Sequence, residues 1–448
     1  MNRLLLLSSI ICIMACSTED PRRADFDPSR SSDDKTVSFF NELQVFTAGP
    51  DESYGYDQAG LEEAVIQVIE KAELSIIAAF ENLDSEAVAN ALVAASVRGI
   101  EVRIVADKDR REQRGFQILE NAVENPAEQI LTYEDRELPA QVYGRDHRLV
   151  VVYGDGELTA WQAVFGADNV RRTGEDNRMM HNCLIADRIH MVNLTHGFGP
   201  TTDAGGQEIP AMVQTGFFAN SEDLAKDYGD ILDQLYGGVF STTLTFYDDT
   251  VSSDNNNRTF YPLQDGLIEA HFGPQEPLVK EIIDQIYSAR SSVYIASSEF
   301  RNGEIARALR YKAEAGFEVR VVVSQPLNQR EESGALIQWF AGLDNATIAQ
   351  RPGIAQTMII IDGRSSHLGG GHQPGRVMMT SMPIFEAAGY YVQSEIGGGS
   401  PVLAAQPSGQ FTDTNMWVVH EGRNSAAGSL DYVQLEQLFD RLLQEAIQ

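Results

Sequence analysis

The stretch Leu74-Ser75-Ile76-Ile77-Ala78-Ala79-Phe80, a helical pattern over residues 85–97, and then Gly99-Ile100-Glu101-Val102-Arg103-Ile104-Val105 decide the fold. Two short apolar runs enclose an amphipathic segment that ends at glycine. Runs that are apolar throughout belong to strands covered on both faces. A helical crossover between two of them makes the pair parallel. Gly99 stands where the helix must stop, a position that favours positive φ.

The same order returns later in the chain. Ser292-Val293-Tyr294-Ile295-Ala296 precedes a helical pattern over 304–315, followed by Gly316-Phe317-Glu318-Val319-Arg320-Val321-Val322-Val323. Ala289, Gly316 and Val319 each stand 217 residues after Ala72, Gly99 and Val102. A constant offset across two helices and two strands marks an internal repeat. Each copy has a preceding helical pattern, at 61–72 and 278–289. Each opens on a Gly-Pro, at Leu43-Gln44-Val45-Phe46-Thr47-Ala48-Gly49-Pro50 and at His271-Phe272-Gly273-Pro274. Amphipathic stretches at 221–236 and 435–447 close the two halves. The expected fold is α/β: two lobes related by a pseudo-twofold axis, each a mixed, mostly parallel sheet covered by helices. The first lobe is expected over 43–240, a linker over 241–262 and the second lobe over 263–448.

The chain has 448 residues and carries 34 basic against 65 acidic side chains, a formal net charge of −31. Broad binding to nucleic acid is therefore not expected, because it needs cationic surface. Residues 4–14 are apolar after Asn2 and Arg3, too short to span a bilayer and suited to an export signal. Ala15-Cys16 then resembles the lipobox of bacterial lipoproteins, which implies cleavage after residue 15 and acylation of Cys16. A plain secretory signal is the rival. Residues 16–42 read as acylated Cys and flexible tether. Cys12 would leave with the signal and Cys16 would carry lipid, so Cys183 has no expected disulfide partner. The expected location is the bacterial cell envelope, anchored by lipid. Ser17 rather than Asp after Cys16 resembles sorting to an outer membrane.

The repeat resembles the phospholipase D superfamily. It is carried by the two strand–helix–Gly-[Ile/Phe]-Glu-Val-Arg blocks. Met180-His181-Asn182-Cys183-Leu184-Ile185-Ala186-Asp187 resembles the family's Met-His-x-Lys-x4-Asp segment, and Ile359-Ile360-Ile361-Asp362-Gly363 the end of its second copy. The resemblance implies a site on the pseudo-twofold axis. There one His attacks phosphorus, a second protonates the leaving alcohol, and two Lys hold the phosphoryl oxygens.

This chain departs from that pattern. His181 is present, but Cys183 stands at the Lys position and Arg188 at the Asp position, with Asp187 one residue early. Counting back from Asp362 puts Ala355 at the second His position and Thr357 at the second Lys position. Asn193-Leu194-Thr195-His196 and Thr380-Ser381-Met382-Pro383 replace Gly-Ser-x-Asn, with only Ser381 matching. No Lys occurs between Lys108 and Lys226 or after Lys312, so both motif regions lack it in any register. Arg178 and Arg188 flank His181 and are the candidate phosphate clamps, with Ser381 and His196 as further candidate binding residues. His181 is the candidate catalytic residue only if activity persists, with His196, His367 or His372 as acid partner. His181, Cys183, His190 and His196 lack a metal-site spacing, so neither metal nor other cofactor is expected.

Three functions stay open: a non-hydrolytic ligand- or partner-binding lipoprotein of the envelope, an active phosphodiesterase acting on phospholipid or another phosphodiester, and a structural envelope protein with a filled cleft.

Overall fold

The computed structural model describes residues 43–48, 59–122, 149–154, 179–202, 214–236, 260–262, 267–273, 278–298, 302–324, 342–363, 375–381, 414–420 and 430–447, with short pieces between them. The expected signal, Cys16, the tether, Arg178, His367, His372 and most of the linker lie outside the described residues.

Helices α1 (Ala59–Lys71), α2 (Glu86–Arg98), α3 (Arg114–Ala122) and α4 (Glu222–Tyr236) belong to the first half. Helices α5 (Leu278–Ser288), α6 (Gly303–Glu314) and α7 (Leu430–Ile447) belong to the second. Local chemistry sets their ends. Ser85 caps α2 by accepting from Val88 N at 3.1 Å, and Gly99 leaves the helix at φ 99°. Asn302 caps α6 by accepting from Glu304 N and Ile305 N. These side chains satisfy amide donors that no helical carbonyl reaches.

The first sheet runs Leu43–Ala48, Gln214–Asn220, His190–Leu194, Asn182–Ala186, Ser75–Phe80, Glu101–Asp107, Leu149–Gly154, then the short Gln141–Tyr143 and Ala127–Gln129. The second runs Phe260–Pro262, Leu267–Gly273, Thr414–His420, Arg376–Thr380, Thr357–Ile361, Ser292–Ser297, Glu318–Val323, Ala346–Gln350. Both sheets are mixed and covered by helices. They depart from the expectation in one respect: parallel pairing is confined to one trio in each. These trios are Ser75–Phe80, Glu101–Asp107 and Leu149–Gly154, and Ser292–Ser297, Glu318–Val323 and Ala346–Gln350. The other pairings between described strands are antiparallel. The crossover blocks dictate the trios, whereas tight turns such as that from Asn182–Ala186 to His190–Leu194 force antiparallel neighbours.

That turn is built twice. Asp187 sits at φ 54° and Arg188 at 61°, a left-handed conformation that Asp tolerates better than most residues. The Asp187 carboxylate accepts from the backbone amides of Glu73, Leu74 and Ser75 at 2.8–3.0 Å. Asp362, at φ 57°, accepts from Arg290 N at 2.7 Å and Ser291 N at 2.8 Å. Each acid ties the strand that ends the motif to the start of the first parallel strand. Replacing either with Ala is expected to cost roughly 2–3 kcal/mol, because charge-assisted bonds are lost and Ala fits φ > 0 poorly. The midpoint of urea unfolding measures this, and an unchanged midpoint would sink the clamp reading.

The two sheets share one core. Phe217 of the first packs edge-on against Trp417 of the second at 4.8 Å, and Tyr228 of α4 against Phe272 at 4.7 Å. Leu232 and Leu235 of α4 join Leu435, Phe439 and Leu442 of α7 in the same cluster. Burying these aromatics against the other sheet locks the lobes together.

Candidate functional site

His181 lies just before the strand Asn182–Ala186, at the end opposite the Asp187 turn. Its carbonyl accepts from Glu81 N at 3.0 Å. Its ring is 1% exposed and meets the second lobe, where Asn415 Nδ2 approaches His181 Nδ1 at 3.0 Å. Asn415 Oδ1 accepts from Asn193 Nδ2 at 2.7 Å, which fixes the amide orientation. Asn415 therefore donates to the imidazole, and the proton of a neutral ring sits on Nε2. Burial pushes the His181 pKa down to about 3, so the ring is neutral. The nitrogen with a lone pair is held by an amide and the other carries hydrogen. Neither is poised to attack phosphorus.

Sheet register reveals the counterpart of His181. Cys183 faces Ala79 as Met358 faces Ala296, and Asn182 faces Phe80 as Thr357 faces Ser297. His181 therefore corresponds to Gln356, not to Ala355. In both lobes the turn Asp follows six residues later, so the lobes keep a common spacing. Met358, not Thr357, matches Cys183. Thr357 pairs its hydroxyl with Ser297 at 2.9 Å, and Ala355 is buried.

Gln356 is 0% exposed. Its Oε1 lies 2.9 Å from the hydroxyl oxygens of both Thr195 and Thr215, in the first lobe. Thr215 and Asn415 occupy matching places, one residue into the strands Gln214–Asn220 and Thr414–His420. The axis thus carries two related contacts, His181 with Asn415 and Gln356 with Thr215. Ser381 is beside them: its Oγ donates to Met180 O at 2.8 Å and lies 3.0 Å from Thr414 Oγ1. By register Ser381 matches Thr195. Its role here is a bond between lobes.

The other expected residues are dispersed. Arg188 is exposed in the Asp187 turn, at the far end of a strand roughly 17 Å long. It does not join His181. His196 is buried, with Nε2 3.2 Å from Gly199 O, and burial pushes its pKa down. Cys183 is buried with its thiol pushed up to about 12, first by desolvation, so it is no nucleophile.

One buried acid escaped the sequence reading. Asp107 ends its parallel strand and accepts from Met179 N and Asp109 N, each at 2.9 Å. Burial first, and then the charge of Glu81, raises its pKa to about 8. It anchors the segment that delivers His181. Gln356, Asn415 and Thr215 were also missed. The available signal was the six-residue spacing back from Asp362, which reaches Gln356 as it reaches His181 from Asp187.

The repeated sheet order, with His181 and Gln356 meeting the facing lobe, decides the resemblance. The architecture is phospholipase D-like. Among solved structures it is similar to phosphatidylserine synthase from Haemophilus influenzae Rd KW20 at 11% identity and TM-score 0.48, over 89% of this chain and 86% of that one. It is also similar to Nuc, a phospholipase D family member from Salmonella typhimurium, at 14% identity and TM-score 0.25, over 44% of this chain and 96% of that one. Polyphosphate kinase from Porphyromonas gingivalis matches at 11% identity and TM-score 0.45, over 90% of this chain; the chain spans 50% of that protein's length. No protein-family profile matches the sequence, and no curated protein matches it.

Proposed function

We propose that this phospholipase D-like chain is a non-hydrolytic protein of the bacterial cell envelope, held to a membrane, the outer one by its Ser17, through acylated Cys16, and that it works by binding a ligand or partner. The observation that carries this reading is the chemistry of the axis. His181 is buried and hydrogen-bonded to Asn415, Gln356 stands where a second acid–base His would be needed, and Cys183 and Met358 stand where cations would hold phosphate. Phosphoryl transfer through a phosphohistidine needs a free imidazole nitrogen, a second proton donor and positive charge on the non-bridging oxygens. Among the described residues the axis supplies none of these three. Its neutral side chains bond to one another across the lobes, which favours a ligand at the outer surface over a diester at the axis. The same bonds support the structural reading, in which the old cleft is filled. No described helix is long and apolar enough to cross a membrane.

The test is hydrolysis of bis(p-nitrophenyl) phosphate by the soluble chain lacking the first 42 residues, beside His181→Ala. The expected outcome is the same background rate in both. Turnover that His181→Ala abolishes would overturn the proposal in favour of the active phosphodiesterase. A rise in melting temperature with phospholipid head groups, absent with unrelated anions, would favour the binding over the structural reading.

A further inference from the structure

A second cluster lies away from the axis, on the outer face of the second sheet. Glu269 and His271 alternate along the strand Leu267–Gly273, so both side chains share a face. Leu278 and Ile282 of α5 pack over that face with Met416 and Val418. Glu269 and His271 are buried there at 4% and 7% exposure. His271 Nε2 lies 3.4 Å from Glu269 Oε2, and His420 Nε2 lies 2.5 Å from Glu269 Oε1. Glu281 comes down from α5. One ligand atom each from Glu269, His271 and Glu281 falls within a sphere of contacts no wider than 4.8 Å.

We propose that Glu269, His271 and Glu281 form a binding site for a divalent transition metal, zinc above all, with His420 held beside it on Glu269 Oε1. One imidazole and two carboxylates are a mixed nitrogen and oxygen set that zinc takes, with a fourth position left for water. Bonds of that type place donors about 3.3 Å apart, so the group must contract by up to about 1.5 Å. Glu281 can move by that much, because it projects from a helix and its carboxylate bonds Gln285 of the same helix at 2.6 Å. Arg376 lies across from His420 in the sheet, feels both carboxylates and donates to Ser288 Oγ.

The set is particular to the second lobe. Ala48 and Gly273 face matching residues, Gln214 and Thr414. Counting back, Gln44 and Phe46 stand for Glu269 and His271, and Asn220 stands for His420. The fold is thus completed in the first lobe without these ligands. Their presence in the second is an addition that packing alone did not require.

The test uses the full chain, treated with chelator and dialysed, then titrated with zinc chloride by calorimetry. One zinc per chain is expected, together with a rise in melting temperature that chelator reverses. Glu281→Gln keeps the Glu269–histidine contacts and the packing of α5. It should weaken zinc by at least about tenfold while leaving the metal-free melting temperature unchanged. His271→Ala should remove binding altogether. No saturable binding, or zinc held equally by wild type and both variants, would overturn the proposal. This outcome is independent of phosphodiester hydrolysis, which is read at the axis.

Discussion

His181→Asn is expected to flatten the acid limb of the stability profile. Asn can offer Asn415 an acceptor near the place of Nδ1 but has no proton to gain. The sign follows from the pKa. His181 is pushed from 6.5 down to about 3 by burial. A depressed folded pKa gives stability that is present above pH 6.5 and is lost as pH falls towards 3, because the unfolded chain takes up the proton first. At pH 4 this one group costs about 3 kcal/mol. Urea unfolding at pH 4 and pH 7 measures it as the difference between wild type and variant. A difference that does not change with pH would mean that water reaches the ring, and the sealed axis would be wrong.

Asp107→Asn is expected to act with the opposite slope. Burial and the Glu81 charge raise Asp107 from 3.8 to about 8. Its stability is fully present below the unfolded value and is lost as pH rises towards 8, since the unfolded chain gives up its proton while the folded chain holds it. Between pH 4 and pH 7 the loss is about 4 kcal/mol. The variant has no such loss and so gains on the wild type as pH rises. A constant offset from the altered bond to Met179 N does not affect that slope. The two groups nearly cancel between pH 4 and 7, so their contributions emerge only from the variants. A flat difference for Asp107→Asn would show the acid already ionised in the native protein.

Both predictions concern groups of uneven legibility. His181 stood out because Met180-His181 begins a recognisable motif and Asp187 follows it. Nothing in the residues around Asp107 marks it. An Asp at a strand end is ordinary, and its raised pKa comes first from burial and then from the charge of Glu81. Arg188 illustrates the reverse error. It is close to His181 in sequence, but an extended strand carries it to the opposite end of the sheet, and a turn at positive φ faces it to solvent. Proximity along a strand is distance in space.

The sequence by itself determined the crossover blocks, the glycines that end their helices and the pairing of the two halves. Those depend on local periodicity and on Gly99 and Gly316, where neighbouring residues suffice. It also determined that Lys is missing from both motif regions, which composition alone shows. Only the tertiary structure decided that most pairings are antiparallel, since turns and register set direction once the crossovers are placed. Only it decided that Gln356 answers to His181, because equivalence between lobes is read from which residues face each other across strands. The sealing of the axis belongs to the same level. Asn415 lies 234 residues from His181, and no local pattern announces a bond that forms only when two sheets close on one core.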